Sequence, residues 1–497
     1  MAAYNTIGRI LATERIALQQ ARTSLDNVEQ RLAKLRAEVA KLEPEADALN
    51  AHIIVAASAC QSLLSRFLRE FFGAGPDDVL LLIFQEVIAA HDVWKIGSVY
   101  YDHERAKAPF SLAAVCRRWR QLVRSTSALW TYFGLPKFAD TTPAHLDRIV
   151  LLTWLSQQSS IDVVVDWSSH VVDVDDAPHR LQILNAIGSL AARFRRVEWA
   201  AAHESYGAAL EGLHGSTSQL TRLCVRSLTT RDTPQSVGSS ALSYLPHAPR
   251  LQQFTWDGDN SIWAFAASSY ESLTVLTIWG DPPLRGVCDV LCIVRNVLEE
   301  LNLGTELNNN ATFSQDMRIE LPCLVRLHLF DWRWTQHLCT PILNQLATCG
   351  VGLAAHNHPS DARCSLSMVK ELILTDLVTE AGLDQLARLD NITQLTLGDS
   401  WYKEGTLERA RLPLSFLSNA ITRDPPLWPR LKHMHFECDI IKFQTVHAAD
   451  LVAFLRSRNI ISTTSQGDIE VSRIESVVLE YEAPEWLQHE VERLLAG

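Results

Sequence analysis

Apolar residues recur at alternating steps of three and four from Leu25 onward: Leu25, Val28, Leu32, Leu35, Val39, Leu42, Ala46, Leu49 and Ile53. The phase extends back through Leu18, Leu11 and Ile7, with Ala21 in one slot and Glu14 interrupting another. Arg, Lys, Glu and Gln fill the positions between, which leaves one narrow apolar seam on a polar helix. That heptad pattern predicts a coiled-coil helix over residues 1–66. Pro44 falls inside it, removes a backbone donor and crowds the preceding turn, so a kink or break is expected near Glu43. Two uses fit the seam. It serves self-association through residues 7–53 or partner docking, or it folds back on the chain's own body and extends the module that follows.

Helical periodicity resumes at Pro76-Asp77-Asp78, where proline and two acids suit a helix start. Val79, Leu80, Ile83, Phe84 and Val87 then form a broad apolar face. After residues 89–108, an aromatic and charged stretch with Trp94, Tyr100 and Tyr101, a second face appears at Leu112, Val115, Trp119, Leu122 and Val123. Arg117, Arg118, Arg120 and Arg124 project elsewhere, as a solvated face. Ser125-Thr126-Ser127 punctuates before Leu129-Trp130-Thr131-Tyr132-Phe133.

The order Val115, Cys116, two arginines and Trp119, then a Ser/Thr break and Leu129-Trp130, resembles an F-box. Pro76 and Asp78 match the proline and acidic positions of that family's opening, while Gly75 stands where leucine is usual. The insert at 89–108 and the preceding heptad helix are similar to the expanded F-box family of mushroom-forming fungi. The resemblance implies a small all-α module over 72–135 that docks the linker subunit of a cullin-based ubiquitin ligase. The implied contacts are Pro76, Leu80, Ile83, Phe84, Leu112, Val115, Cys116, Trp119, Leu129 and Trp130, shared with the module's own core.

Beyond a linking segment at 136–185, with strand-like Ile161-Asp-Val163-Val-Val165, one pattern repeats: apolar-x-x-apolar-x-apolar. It occurs at Phe194/Val197/Trp199, Leu220/Leu223/Val225, Leu251/Phe254/Trp256, Leu273/Leu276/Ile278 and Leu298/Leu301/Leu303. It continues at Leu324/Leu327/Leu329, Val369/Leu372/Leu374, Ile392/Leu395/Leu397, Leu431/Met434/Phe436 and Ile474/Val477/Leu479. With 47% hydrophobic residues, chance alone gives on the order of fifty such matches, so spacing carries the inference. The first six central positions step by about 26, 31, 22, 25 and 26 residues, close to the leucine-rich period of about 20–29, and the later steps are looser. Pro249, Pro322 and Pro429 each stand two residues ahead of a copy, and Asp257, Asp281 and Asp331 follow three of them.

The expected fold class is therefore α/β and multidomain: a heptad helix, a small all-α module, and an irregular leucine-rich-repeat solenoid with a parallel sheet over 186–497. A long insertion is expected at 336–367, and helices at 287–298 and 380–389. The repeat residues would point inward, and those between them would line a binding face. That face carries Arg222, Cys224, Thr277, Trp279, Arg326, His328, Phe330, His433, His435 and Glu437. Arg222, Trp279, Arg326, His328, Phe330, His433 and His435 are the candidates for protein recognition, where aromatics and Arg dominate binding energy.

Charge and composition narrow the function. A net charge of −12 argues against a general nucleic-acid binder or a protein held to anionic membranes. Ten scattered cysteines without framework spacing suggest a reduced compartment, and no signal peptide or membrane span is apparent. A cytoplasmic or nuclear location follows. No phosphate loop, Gly-x-Ser-x-Gly elbow or complete zinc-protease motif occurs; His489-Glu490 has Arg493 where a second His belongs. Cys349, His356, His358 and Cys364 suit zinc by type but match no usual ligand spacing. Neither catalysis nor a cofactor is expected. The expectation is a substrate receptor with the linker subunit and cullin on one side and a protein target of unknown identity on the other. The alternative is a non-ligase scaffold assembled through the coiled coil.

Overall fold

The computed structural model describes residues 75–90, 101–135, 143–167, 177–202, 217–228, 247–257, 270–280, 284–304, 318–348, 366–375, 386–387, 389–398, 427–436, 445–461, 471–479 and 483–496, with Leu417 and scattered residues between 22 and 62. The chain divides into two compact units, Met1–Ile83 and Phe84–Gly497. In the first, the described residues between 22 and 62 are helical and exposed. Pro44 is itself helical, while Glu43, where a break was expected, lies outside the described residues.

The unit boundary falls within helix α1 (Asp77–Ala89), which opens on Asp77 and Asp78. Helix α2 (His103–Val115) follows, with the Asp102 carboxylate accepting from the Arg105 amide at 2.9 Å as its N-cap. Residues 103–108, read from sequence as part of an insert, are thus its first turns. The apolar face expected to run unbroken from Leu112 to Val123 is divided. Cys116 is extended and separates α2 from α3 (Arg117–Ser125). Its sulfur accepts from the Trp119 amide at 3.5 Å, and Arg120 Nε donates across the break to the Ala113 carbonyl at 3.0 Å. Arg120 therefore terminates α2 as well as lying at the surface.

The body of the second unit is α/β, built on a large parallel sheet. Its strands are β1 (Tyr132–Leu135), β2 (Ile161–Asp166), β3 (Phe194–Ala202), β4 (Arg222–Leu228), β5 (Gln253–Asp257), β6 (Val275–Trp279) and β7 (Glu300–Gly304). Two-residue β8 (Ile319–Glu320) precedes β9 (Arg326–Leu329), and β10 (Leu338–Cys339) precedes β11 (Gln345–Thr348). The series ends with β12 (Glu371–Leu374), β13 (Gln394–Leu397), β14 (His433–Phe436) and β15 (Ser476–Leu479). Apart from β8 and β10, which pair with each other, the described strands form one thirteen-stranded sheet in chain order with every pairing parallel.

Register follows directly from the repeated pattern. Phe133, Val163, Val197, Leu223, Phe254, Leu276, Leu301, Leu327, Leu346, Leu372, Leu395, Met434 and Val477 align across the sheet. A second column, two residues on, runs from Leu135 through Trp199, Trp256 and Leu329 to Phe436 and Leu479. Because side chains alternate between faces, both columns share one face, and both are buried up to the half-buried residues of β15. Each such Leu, Ile or Phe contributes about 1.5–3 kcal/mol on leaving water.

All ten copies of the sequence pattern form strands. The pattern misses β11, because Leu343 and Leu346 are followed by Thr348 in the third apolar slot. The stretch expected as an insertion at 336–367 thus contains a strand of the main sheet. The sheet also starts earlier than residue 186: β1 lies within 72–135 and β2 within 136–185. Pro249, Pro322 and Pro429 each occupy the second position of a turn, closed by Leu251 N–H to Ala248, Leu324 N–H to Leu321 and Leu431 N–H to Trp428. Fixed φ at that position starts the strand at a set point.

Helices α4 (Pro143–Ser156) and α5 (Ala177–Gly188) connect the first three strands, and α6 (Leu284–Val294) connects β6 to β7. The helix expected at 287–298 is α6, and most of 380–389 lies outside the described residues. Helices α7 (Thr445–Arg456) and α8 (Glu485–Ala496) close the chain, joined by Glu490, which accepts from Arg456 at 2.6 Å and from Arg493. Hydrogen bonds from Arg493 and then Arg456 hold the Glu490 carboxyl down at about 2.

Candidate functional site

The residues implied as linker contacts separate by burial. Leu80 and Phe84, one turn apart on α1, are buried, as are Leu129 and Trp130. Trp130 donates from its indole nitrogen to the Val123 carbonyl at 2.7 Å and meets Phe110 edge-on at 5.0 Å. Phe84 packs against half-buried Trp119 at 4.7 Å. Phe84, Trp119, Phe110 and Trp130 thus tie the helices of the second unit together. Ile83 and Leu112 are half-buried, while Pro76, Val115 and Cys116 are exposed. Val115 is 61% exposed at the last position of α2, a large apolar group in water. Sequence reasoning overlooked two related groups: Leu82 at 62% on α1, and Val150, Leu151 and Trp154 on the outer face of α4, with Trp154 71% exposed.

Tyr101 to Ala108 cover the first strands of the sheet on its second face. Tyr101 and Ala106 pack with Tyr132, Val164, Ala200 and Cys224. A side chain at Gly134 would collide with the Tyr101 ring, which explains the glycine. Beside this apolar cover, Arg105 donates to Asp162 at 2.8 Å, and Arg195 adds bonds of 2.9 and 2.7 Å to both carboxylate oxygens. The Arg105 guanidinium lies 4.7 Å over the Tyr132 ring, whose hydroxyl accepts from the Asp102 amide at 2.9 Å. Burial alone would raise the Asp162 carboxyl, but the hydrogen bonds and charges of Arg195 and Arg105 outweigh it and hold the group below its ordinary value. No local signal along the chain marks this network, since Arg105 and Asp162 are 57 positions apart.

The recognition candidates alternate with the apolar columns and so share this second face, but in three separate groups. Arg222 is on β4, half-buried, near Glu198 and the ion pair of Arg226 with Asp257 at 3.0 Å. Trp279 on β6, with Arg326, His328 and Phe330 at β9, flanks β7. His433 and His435 are on β14, four strands from β9 and so about 19 Å away. Cys224 and Thr277 are buried, and Glu437 lies outside the described residues.

The middle group is the most fully built, and its centre comes from β7 residues that the sequence reading passed over. Trp279 lies over Gly304, where any side chain would overlap the indole. Asn302 donates to Thr277 at 3.0 Å and to Glu300 at 3.1 Å, and Glu300 accepts from Arg326 Nε at 2.8 Å. His328 aligns with Asn302, and both its ring nitrogens are shielded from solvent. Burial, aided by the Arg326 charge, lowers its pKa to about 4 against the opposing pull of Glu300, so the imidazole is neutral at pH 7. The resulting surface pairs a flat aromatic group with an exposed arginine and a fixed carboxylate, suited to non-covalent protein contacts.

A scan against protein-family models and a search of curated proteins each returned no match. Among the described residues no group of three or more His, Cys, Asp or Glu could hold a metal ion; Cys349, His356, His358 and Cys364 lie outside them. No described helix is long and apolar enough to cross a membrane.

Proposed function

We propose that this chain is the substrate receptor of a cullin–RING ubiquitin ligase, an F-box module joined to a leucine-rich-repeat array. One observation carries the reading most: the Val115-Cys116-Arg117-Arg118-Trp119 motif forms a helix–break–helix turn that presents Val115 to solvent. The same module runs directly into a parallel sheet laid down in chain order at a leucine-rich spacing. In this reading Val115, with the accessible parts of Leu112, Cys116 and Trp119, meets the linker subunit. Leu80, Phe84, Leu129 and Trp130 shape the module.

The receptor makes and breaks no bonds. It binds a protein target on the second face of the sheet, around Trp279, Arg326, His328 and Phe330, and raises the effective concentration of target lysines at the conjugating enzyme. The Arg105–Asp162 network would hold the module's α2 against the first strands and keep that spacing constant. Affinity capture of the full chain from cells, with proteasome and neddylation inhibitors present, tests the assignment. Recovery of cullin and linker subunit is expected; their absence from repeated captures would contradict it.

A further inference from the structure

We propose that two copies of this chain pair through the outer edge of strand β15, antiparallel and about a twofold axis at Val478. The sheet ends at this strand: among the described residues β14 is its one neighbour. The Ser476 amide donates to the Lys432 carbonyl at 3.2 Å, so Ser476 and Val478 turn their backbone groups towards β14. By alternation Val477 and Leu479 turn theirs outward, and among the described residues no hydrogen bond reaches them on that side. An edge of this kind is a template for another strand.

The side chains of β15 are as incomplete as its backbone. Val477 and Leu479 end the two apolar columns half-buried, whereas their neighbours Met434 and Phe436 on β14 are buried. On the second face Val478 is 50% exposed beside His435. A solenoid end stays soluble when its outer surface is polar, and this end is apolar on both faces.

The residues of the edge select a second copy as the occupant. Val477-Val478-Leu479 is apolar at each position and so matches its own reverse. With Val478 opposite the partner's Val478, Val477 lies opposite the partner's Leu479 and Leu479 opposite the partner's Val477. In those two pairs the outward N–H and C=O groups face each other, and each pair closes two hydrogen bonds. Both apolar columns then run on into the partner. The two Val478 side chains meet on the second face, at a site between hydrogen-bonded pairs where opposed side chains come closest.

Charge agrees with this register. Glu475, the acid preceding the strand, is held by Lys432 at 2.7 Å. It lies three residues from the axis, so its two copies stand about 20 Å apart. A slide to Val477 opposite the partner's Val477 would set Glu475 against the partner's Leu479 and Ser476 against the partner's Val478, which is worse on both faces. The two sheets join edge to edge with their second faces on the same side, which suits a target with two recognition segments. The pairing rests on the edge alone and is independent of the ligase reading.

Sedimentation equilibrium of the full chain, with disulfide cross-linking, is the test. Wild type is expected to dimerise. Val478→Asp sets two carboxylates opposite each other and is expected to raise the dissociation constant by about tenfold or more. Its unfolding midpoint should match wild type, since the position is open to water. Under mild oxidation Val478→Cys is expected to give a disulfide joining the introduced cysteines of two copies, because opposed residues stand within disulfide reach. Glu475→Cys is expected to give none. A wild-type monomer at every concentration, or a Val478→Asp chain that associates as tightly as wild type, overturns the proposal. Cross-linking through Glu475→Cys but not through Val478→Cys overturns it too. So does a wild-type monomer that loses capture of a protein target on Val478→Asp, which would give the edge to a strand of that target.

Discussion

Arg105 and Asp162 meet at 2.8 Å with both side chains nearly inaccessible, joining helix α2 to strand β2. A buried ion pair adds little over a well-packed apolar pair, yet breaking one side of it strands a charge. Asp162→Leu strands the buried Arg105 and should therefore cost about 3–5 kcal/mol in denaturant unfolding, whereas Arg105→Ala leaves Asp162 bonded to Arg195 and should cost less. The double variant Arg105→Leu/Asp162→Leu should recover much of that loss, because the only arginine it leaves without the carboxylate is Arg195, which is half open to water. A loss equal to the sum of the two single variants would show that the pair is not coupled.

Acid should act on the same network. The Asp162 carboxyl is held below its ordinary value, so its contribution is complete above the unfolded-state pKa of about 4 and disappears as pH falls through the lower folded-state value. Asp162→Asn should flatten the acid arm of the stability curve below about pH 4.

His328 titrates with the opposite chemistry in a different window. Its folded-state pKa is near 4, against an ordinary value of 6.5. Between those values the unfolded chain binds the proton first, so stability falls as pH drops from 6.5 towards 4. His328→Gln should remove that slope while leaving the curve above pH 7 in shape. Unfolding free energies measured at half-unit steps across the window provide the check.

Gly304 exists because Trp279 lies over it. Gly304→Ala should destabilise by about 1–3 kcal/mol through overpacking. In a Trp279→Ala background the same change should cost close to nothing. Equal penalties in both backgrounds would remove the indole as the cause.

Much of the sheet was legible because one pattern was both local and repeated. All ten copies became strands, and their central residues formed a single column. Strand β11 was not legible since Thr348 breaks the apolar rule while still burying its side chain in the column. Strand β1 was hidden in another way: Trp130, Phe133 and Leu135 fit the same spacing, but the same residues also read as the tail of the F-box. The break at Cys116 left no mark on apolar spacing, which continues in phase across it. Of the candidate site, the face was legible from alternation, but its grouping was not. The hydrogen bonds through Asn302 and Glu300 depend on neighbouring strands, and no distance along the sequence reports them.

The receptor reading rests on Val115 needing a partner, while Trp130 needs none. Trp130→Ala should lower stability by about 3–5 kcal/mol as a core truncation. Val115→Asp should change stability by less than about 0.5 kcal/mol, because the position is open to water. Calorimetric titration of the full chain with a ligase linker subunit then decides the matter. The prediction is saturable binding by wild type and its loss in Val115→Asp, with the fold of that variant intact. A wild-type chain that does not bind, or a Val115→Asp chain that binds as tightly as wild type, would contradict it.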